Sequence, residues 1–531
     1  MLKRKIISAV LAAVMLASFA GCTKTVTTSE LISAGTEGTT SVIKGTAKKT
    51  ASASSEAKST AKPKSQKNSK KGDLVVANAG KDKNADYKAK GSVTVAVDTA
   101  RATDYEALFD SLKAVYKDID IKFDYFSHST EDSAAEYLST RAAAGKMPDV
   151  VWDEAGKLPL YLTQGWIYPL DGFVKGDPDF KYVPKNLIKD YTFGGRLYAL
   201  PHQAHYEEIF INLDVLEATN QKMPSLSWTT DDYAKYLKTA AKNKYCGQEQ
   251  LFMIPTLFTS AFNANTTLYG YNPESKKFDV SGFTKAVEYT VDLRAVPNVE
   301  AWALSRTTTG GKSDYTIKFG GAPNDMSAFK KGLTLFHGVG TWEMADAKDR
   351  WSNMNWTAWT IPQNKNKKGC MPLHVDHCFM TSTCKNPKVA WQVLRYITYS
   401  TEGNLARLSM YDKQNEGKYA TINPLYYPTT SSPEVAKKFN SLPHVTKTDK
   451  YLFENIGNSI RFDMAKIVPG WNDILDNTIL SSVNEAMDGT SANVAAILNE
   501  TANKANTEIA KQWNSFNTKL AKVQKEFDAK H

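Results

Sequence analysis

Cysteine is scarce in this chain of 531 residues, five in all, and no apolar run beyond residue 20 approaches a membrane span, which needs about 20 residues. A small disulfide-built scaffold and a multi-span membrane protein are therefore excluded. There is no G-x-S-x-G elbow, no H-E-x-x-H helix and no phosphate-binding loop, so the usual signatures of acyl hydrolases, zinc proteases and nucleotide hydrolases are missing. Cys370, Cys378 and Cys384 are spaced like no common zinc site. Even with His374 and His377 between them, the run from Leu373 to Met380 reads as a buried strand in which thiols act as small hydrophobes. No metal and no cofactor is expected; a disulfide among these three cysteines stays open.

What is present begins with Lys3, Arg4 and Lys5 ahead of an apolar run from Ile6 to Ala20 that closes on Gly21 and Cys22. Charge, length and small exit residues are those of a secretory signal. Phe19-Ala20-Gly21-Cys22 resembles the lipobox of bacterial lipoproteins, with Phe19 in place of the usual Leu. The resemblance implies a signal peptide over 1–21 and a lipid on Cys22, which would hold the protein on the outer face of the bacterial cytoplasmic membrane. From Cys22 to residue 90 Thr, Ser, Ala and Lys dominate and large apolar residues nearly vanish. Such a segment buries too little apolar area to offset its ordering entropy and predicts a flexible tether.

The tether also carries the charge. Of the formal +10, residues 1–21 hold +3 and residues 23–90, with 14 Lys against 6 acids, hold +8, leaving −1 for residues 91–531. A near-neutral body gives no steering for a nucleic acid or another polyanion and fits a neutral solute. Its roughly 440 residues exceed one ordinary hydrophobic core and predict two lobes. All 11 Trp lie in it.

Ser92 to Asp98 alternates β-branched residues as a strand does. Tyr105, Leu108, Phe109, Leu112, Val115 and Tyr116 mark one face of a helix. A strand from Ile119, a helix over about 131–145 and a short strand ending at Trp152 follow. Strand, helix, strand, helix, strand is the parallel α/β pattern, and ligands of such sheets bind beyond the carboxyl ends of the strands. That rule selects Asp98, Trp152, Asp153 and Glu154. Gly194-Gly195 predicts a turn into a strand that Pro201 ends.

Three stretches carry a more specific likeness: Ala142 to Val151, Leu162 to Asp171, and Gly194 to Pro201 followed by Phe210-Ile211-Asn212. Phe329 to Leu335, Gly340-Thr341-Trp342 and the helix near Ala390 continue the order. The succession resembles family 1 extracellular solute-binding proteins of ABC importers. The resemblance implies a two-lobed, periplasmic-binding-protein-like α/β fold of type II, with a ligand cleft between lobes joined by a multi-strand hinge. One lobe would comprise 91–205 with about 345–398, the other 206–344 with about 399–531. The chain would cross at about 203–212, again between about 340 and 359, and return near Tyr399. A monomer that hands its ligand to ABC permease subunits is implied, not an enzyme.

A sugar offers a C–H face to stack on aromatic rings and a rim of hydroxyls for planar polar groups. Trp342 falls where the family's cleft tryptophan follows a Gly-rich turn, and Trp471 matches a second aromatic position. His205 and Tyr206 lie on the segment resembling the hinge entry, with His202 and Gln203 as alternatives. Asp98, His374 and Asp376 could reach from neighbouring strand ends. A carbohydrate, an oligosaccharide above all, is the expected ligand; a peptide, a metal complex or another small solute is the alternative. A carboxylate pair such as Asp153 with Glu207 or Glu208 would suit a glycosidase only at the right separation in space, which spacing along the chain does not supply.

Overall fold

The structure is a computed structural model, and it describes residues 85–99, 102–127, 133–153, 156–341, 352–412, 427–488 and 491–531. Residues 1–21 expected as a signal, Cys22, nearly all of the expected tether, Glu154 and Trp342 lie outside the described residues.

Strand β1 (Gly91–Asp98) buries Val93, Val95 and Val97. Helix α1 (Ala102–Val115) covers the sheet with the buried Tyr105, Leu108, Phe109 and Leu112, the spacing that puts them on one face. Strand β2 (Ile119–Phe126) returns parallel to β1. Helix α2 (Ser133–Ala143) leads to β3 (Val150–Asp153), parallel to β1 on its other edge. Pro148 keeps the preceding residue out of helical geometry, and Asp149 then locks the entry by accepting from Thr94 N at 2.9 Å.

Six further strands build one ten-stranded sheet: β4 (Leu200–Asn212), β5 (Cys246–Gln248), β6 (Thr334–Gly340), β7 (Trp356–Thr360), β8 (Pro372–Met380) and β9 (Tyr427–Pro428), with the short β10 (Ile460–Arg461) added to β8. The order is β2-β1-β3-β8-β4-β6-β5, with β7 and β9 also on β4. Strand β4 spans the whole assembly. Its first part, Leu200 to Tyr206, pairs antiparallel with β8, which also pairs with β3. Its second part, Glu207 to Ile211, pairs with β6, and β5 lies parallel beyond that. One strand thus belongs to two halves.

Three expectations are corrected here. Pro201 does not end a strand; it is the second residue of β4, opposite a bulge between Asp376 and His377, where a missing N–H costs no ladder bond. The second crossing is not at 340–359: β7 still pairs with Glu208 to Asn212, and only at Pro372 does the chain join the first half. The return is not near Tyr399 either. Helix α3 (Thr401–Asp412) packs on α1 and on the helix Pro433–Ser441, so the chain stays with the first half and comes back past β10. Apolar periodicity says that a helix is covered, not by which lobe.

The second half is closed by helices Thr230–Lys242, Ile254–Phe262 and Ser281–Arg294. The first opens on a capping box of Thr229 and Asp232, and Trp228 is pinned ahead of it by donating to Thr360 O at 2.8 Å. Among the described residues no helix is long and apolar enough to cross a membrane. Cys246, Cys370, Cys378 and Cys384 are thiols, not disulfides.

Candidate functional site

Alternation along β4 sorts its side chains into two environments. Ala204, Tyr206 and Glu208 are fully buried on one face. Gln203, His205 and Glu207 occupy the other, where Glu207 and, across the strand pair, His374 keep 12% and 11% of their side chains in contact with solvent. In β8, His374 stands opposite His205 and Asp376 opposite Gln203. These five residues form a polar floor where the two halves meet.

The floor is tightly bonded. Asp376 accepts from Gln203 Nε2 at 2.8 Å and from Lys466 Nζ at 2.6 Å, with His205 Nε2 at 3.4 Å. His374 Nε2 lies 2.9 Å from Glu207 Oε1. Lys466 also reaches Asp463 at 2.9 Å. Arg461 is paired with Asp463 and donates to Val375 O at 2.7 Å and to Tyr191 Oη at 2.8 Å. Burial pushes the Asp376 carboxyl up, but Lys466 and His205 outweigh it and hold it well below the usual carboxylate range. The same contest, won by Arg461 and Lys466, holds Asp463 down. Lys466 is itself raised above the ordinary lysine value: its burial is overcome by the two carboxylates. Under the floor, burial and then the charges of Lys466 and Arg461 keep His377 neutral, well below the usual histidine value.

The predicted residues fall in different places. His205 and His374 come together on the floor. Asp98 and Asp153 are the last residues of β1 and β3, at the carboxyl edge of the first half. Trp152 is buried beside them, its ring 3.7 Å from Tyr105 in a stack and 4.1 Å from His202 edge-on. Tyr206 points to the sealed face, where its hydroxyl donates to Leu452 O at 2.9 Å and bonds Ser459 Oγ at 2.9 Å. His205 and Tyr206 are neighbours in a strand and cannot share a face. Trp471 stacks on Phe278 and meets Tyr271 edge-on, 3% exposed, so it closes the core of the second half. Lys466 and Asp463 were not legible as site residues, because they lie more than 250 residues beyond His205 and arrive only through the last return of the chain. Glu207 was read only as a possible carboxylate partner of Asp153, and the structure pairs it with His374 instead. Among the described residues no three metal-ligating side chains converge.

A mixed sheet of two halves sharing a central strand, with a polar floor at the junction, defines a two-lobed binding-protein fold. The chain belongs to the bacterial extracellular solute-binding proteins, whose family model matches residues 107–438. Solved structures agree in fold. An ABC substrate-binding protein of Listeria monocytogenes in complex with cycloalternan is 16% identical with a TM-score of 0.56, covering 80% of this chain and 100% of its own. A sugar transporter of Rhizobium etli in an open conformation is 16% identical with a TM-score of 0.58, covering 78% and 99%. The sugar-binding protein MalE of Xanthomonas citri is 14% identical with a TM-score of 0.58, covering 80% and 99%. No curated protein matches the sequence.

Proposed function

We propose that this protein captures a carbohydrate, an oligosaccharide above all, in the cleft over the β4–β8 floor and delivers it to ABC permease subunits. Cys22 anchors it by lipid to the outer face of the cytoplasmic membrane, and it acts as a monomer that binds and does not turn over its ligand. One observation carries the reading: a row of planar polar groups, Gln203, His205, Glu207, His374 and Asp376, lies at the junction of two lobes. Carboxylates and imidazoles in such a row can each take part in two hydrogen bonds, as vicinal hydroxyls require. Asp98, Trp152 and Asp153, at the strand ends of the first lobe, are assigned as further contacts, and Trp342 is assigned the stacking face. The lobes correspond to about 91–206 with 372–441, and 207–360 with the chain after β10. The neighbours described as a sugar transporter and a sugar-binding protein, and the one in complex with cycloalternan, support the ligand class.

The test is a thermal-shift panel of neutral mono- and oligosaccharides, peptides and metal complexes. Stabilisation grows with ligand over Kd, by about 2.7 kcal/mol at a hundredfold excess, so a micromolar ligand raises Tm by several degrees. A response to peptides or metal complexes with none across the glycans would overturn the sugar assignment. Release of new reducing ends would overturn the non-enzymatic one.

A further inference from the structure

The last helix, α4 (Ser491–Lys530), is 40 residues long, which at 1.5 Å per residue is about 60 Å, roughly twice the diameter of a small domain. A helix of that length outreaches a small domain, and its contacts divide between the two lobes. Its first two thirds belong to the second lobe. Val494, Leu498, Ala505 and Ile509 are buried, and the helix packs along Ser281–Arg294. Asn506 exchanges two hydrogen bonds with the backbone of Phe278, accepting from its N at 2.7 Å and donating to its O at 3.0 Å. Trp513 donates to Tyr271 Oη at 3.2 Å, and Lys276 sits 3.9 Å over its ring.

Its last third lies on the first lobe. Phe516 meets Phe193 edge-on at 5.6 Å, and Phe527 meets Tyr168 edge-on at 4.9 Å. Gln524 Nε2 donates to Gly194 O at 3.2 Å and Tyr198 Oη at 3.0 Å. Arg196 forks onto both oxygens of Asp528 at 2.8 and 2.7 Å. These partners are fixed to the first-lobe sheet, since Tyr168 N donates to Met380 O and Leu170 N to Leu197 O. Two glycines shape the seat. A Cβ on Gly194, whose φ is +54°, would come within 3.1 Å of Leu520 Cδ2, and one on Gly165, at φ +70°, within 3.4 Å of Val523 Cγ1.

We propose that α4 is a strap: a rigid rod rooted in the second lobe whose final turns clasp the first, restraining rotation of the lobes about the crossing strands. If the lobes turn while the rod stays rooted, its end must slide across or leave the Tyr168–Gly194–Arg196 seat. The two ends are built unequally. The root is buried and hydrogen-bonded to backbone, whereas Arg196 and Asp528 keep 29% and 56% of their side chains exposed, and an exposed pair is weak. The seat is the end that yields. This inference rests on the two-lobed fold and is independent of the ligand.

The test measures the distance between lobes. Spin labels are placed on Cys introduced at the exposed Lys113 of the first lobe and Lys238 of the second, in the full mature chain with Cys22 and Cys384 replaced by Ser. The Arg196→Glu, Phe527→Ala variant is expected to broaden the distance distribution and shift its mean relative to the unaltered seat. Pairing Arg196→Glu with Asp528→Arg, with Phe527 intact, is expected to restore the narrow distribution, a rescue that general damage to the fold does not produce. If the first variant loses its cooperative melt, Gln524→Ala with Asp528→Ala is measured in the same way. A distribution unchanged by release of the seat overturns the strap.

Discussion

Lys466 holds the floor in place. Its ammonium joins Asp376 on β8 to Asp463 on the last return of the chain, and only 12% of its side chain reaches solvent. Removing one partner of a buried ion pair strands the other charges and costs about 3–5 kcal/mol. Lys466→Met is therefore expected to lower stability by that order in chemical denaturation and to weaken ligand binding; a variant as stable as wild type would show that the carboxylates find other partners. Glu208 presents the opposite case. It is fully buried on the sealed face of β4 with no hydrogen bond to either oxygen, and burial, then Asp449 and Glu207, push its carboxyl well above the usual range. Because the folded value is raised, the folded state is favoured while Glu208 is protonated in both states, and that stability is lost as pH rises from about 4.5 toward the folded value. Glu208→Gln is expected to leave stability unchanged near pH 4 and to raise it by about 1 kcal/mol or more in mildly alkaline buffer. Equal gains at both pH values would contradict the buried-proton account.

Among the elements, β4 and α4 join the lobes in different ways. Strand β4 is continuous through the junction, and its alternation delivers the floor residues to one side. Helix α4 is held to the second lobe by the Asn506 amide, which replaces a missing strand partner for Phe278. Two backbone groups left unpaired by Asn506→Ala cost about 2 kcal/mol or more together, an expected fall in the denaturation midpoint of the second lobe. Neither was legible as one element, whereas the outlines of the first five were. β1, α1, β2, α2 and β3 follow from apolar period and from Pro148, and the buried run from Leu373 to Met380 follows from its apolar side chains. The positions of α3, β7 and β10 relative to the lobes were not legible, because a helix or strand buries the same kind of face whichever lobe receives it.

At the scale of the whole molecule the charge pattern predicts a particular acid response. His377 is kept neutral and below its usual value, so the unfolded chain takes up a proton first, and stability is lost as pH falls below about 6.5. Asp376 and Asp463 are held below the carboxylate range, so a second loss follows as pH falls below about 4. Burial pushes Glu249 and Asp190 up to about 7 and Glu208 well above the usual range, so each favours the folded state as it takes up its proton, which opposes the first loss as pH falls toward about 4.5. Melting between pH 8 and pH 3 is expected to show no marked loss down to about pH 4.5 and then a steep decline. A single steep transition near pH 6.5 would mean that His377 dominates and Glu249 does not compensate.

Some properties of this protein need only the order of its residues. The apolar run that closes on Cys22, the Thr-, Ser-, Ala- and Lys-rich stretch after it and the concentration of net positive charge in the first 90 residues are local in the chain, as are the parallel α/β pattern and the strand-end positions of Asp98 and Asp153. The tertiary structure alone decided that His205 and Tyr206 part to opposite faces, that Trp471 closes a core, and that Lys466 and Asp463 complete a floor begun at Gln203. It alone placed the end of α4 on the first lobe. The reason is physical: period and composition report whether a side chain is covered, while the identity of what covers it depends on contacts between residues hundreds of positions apart.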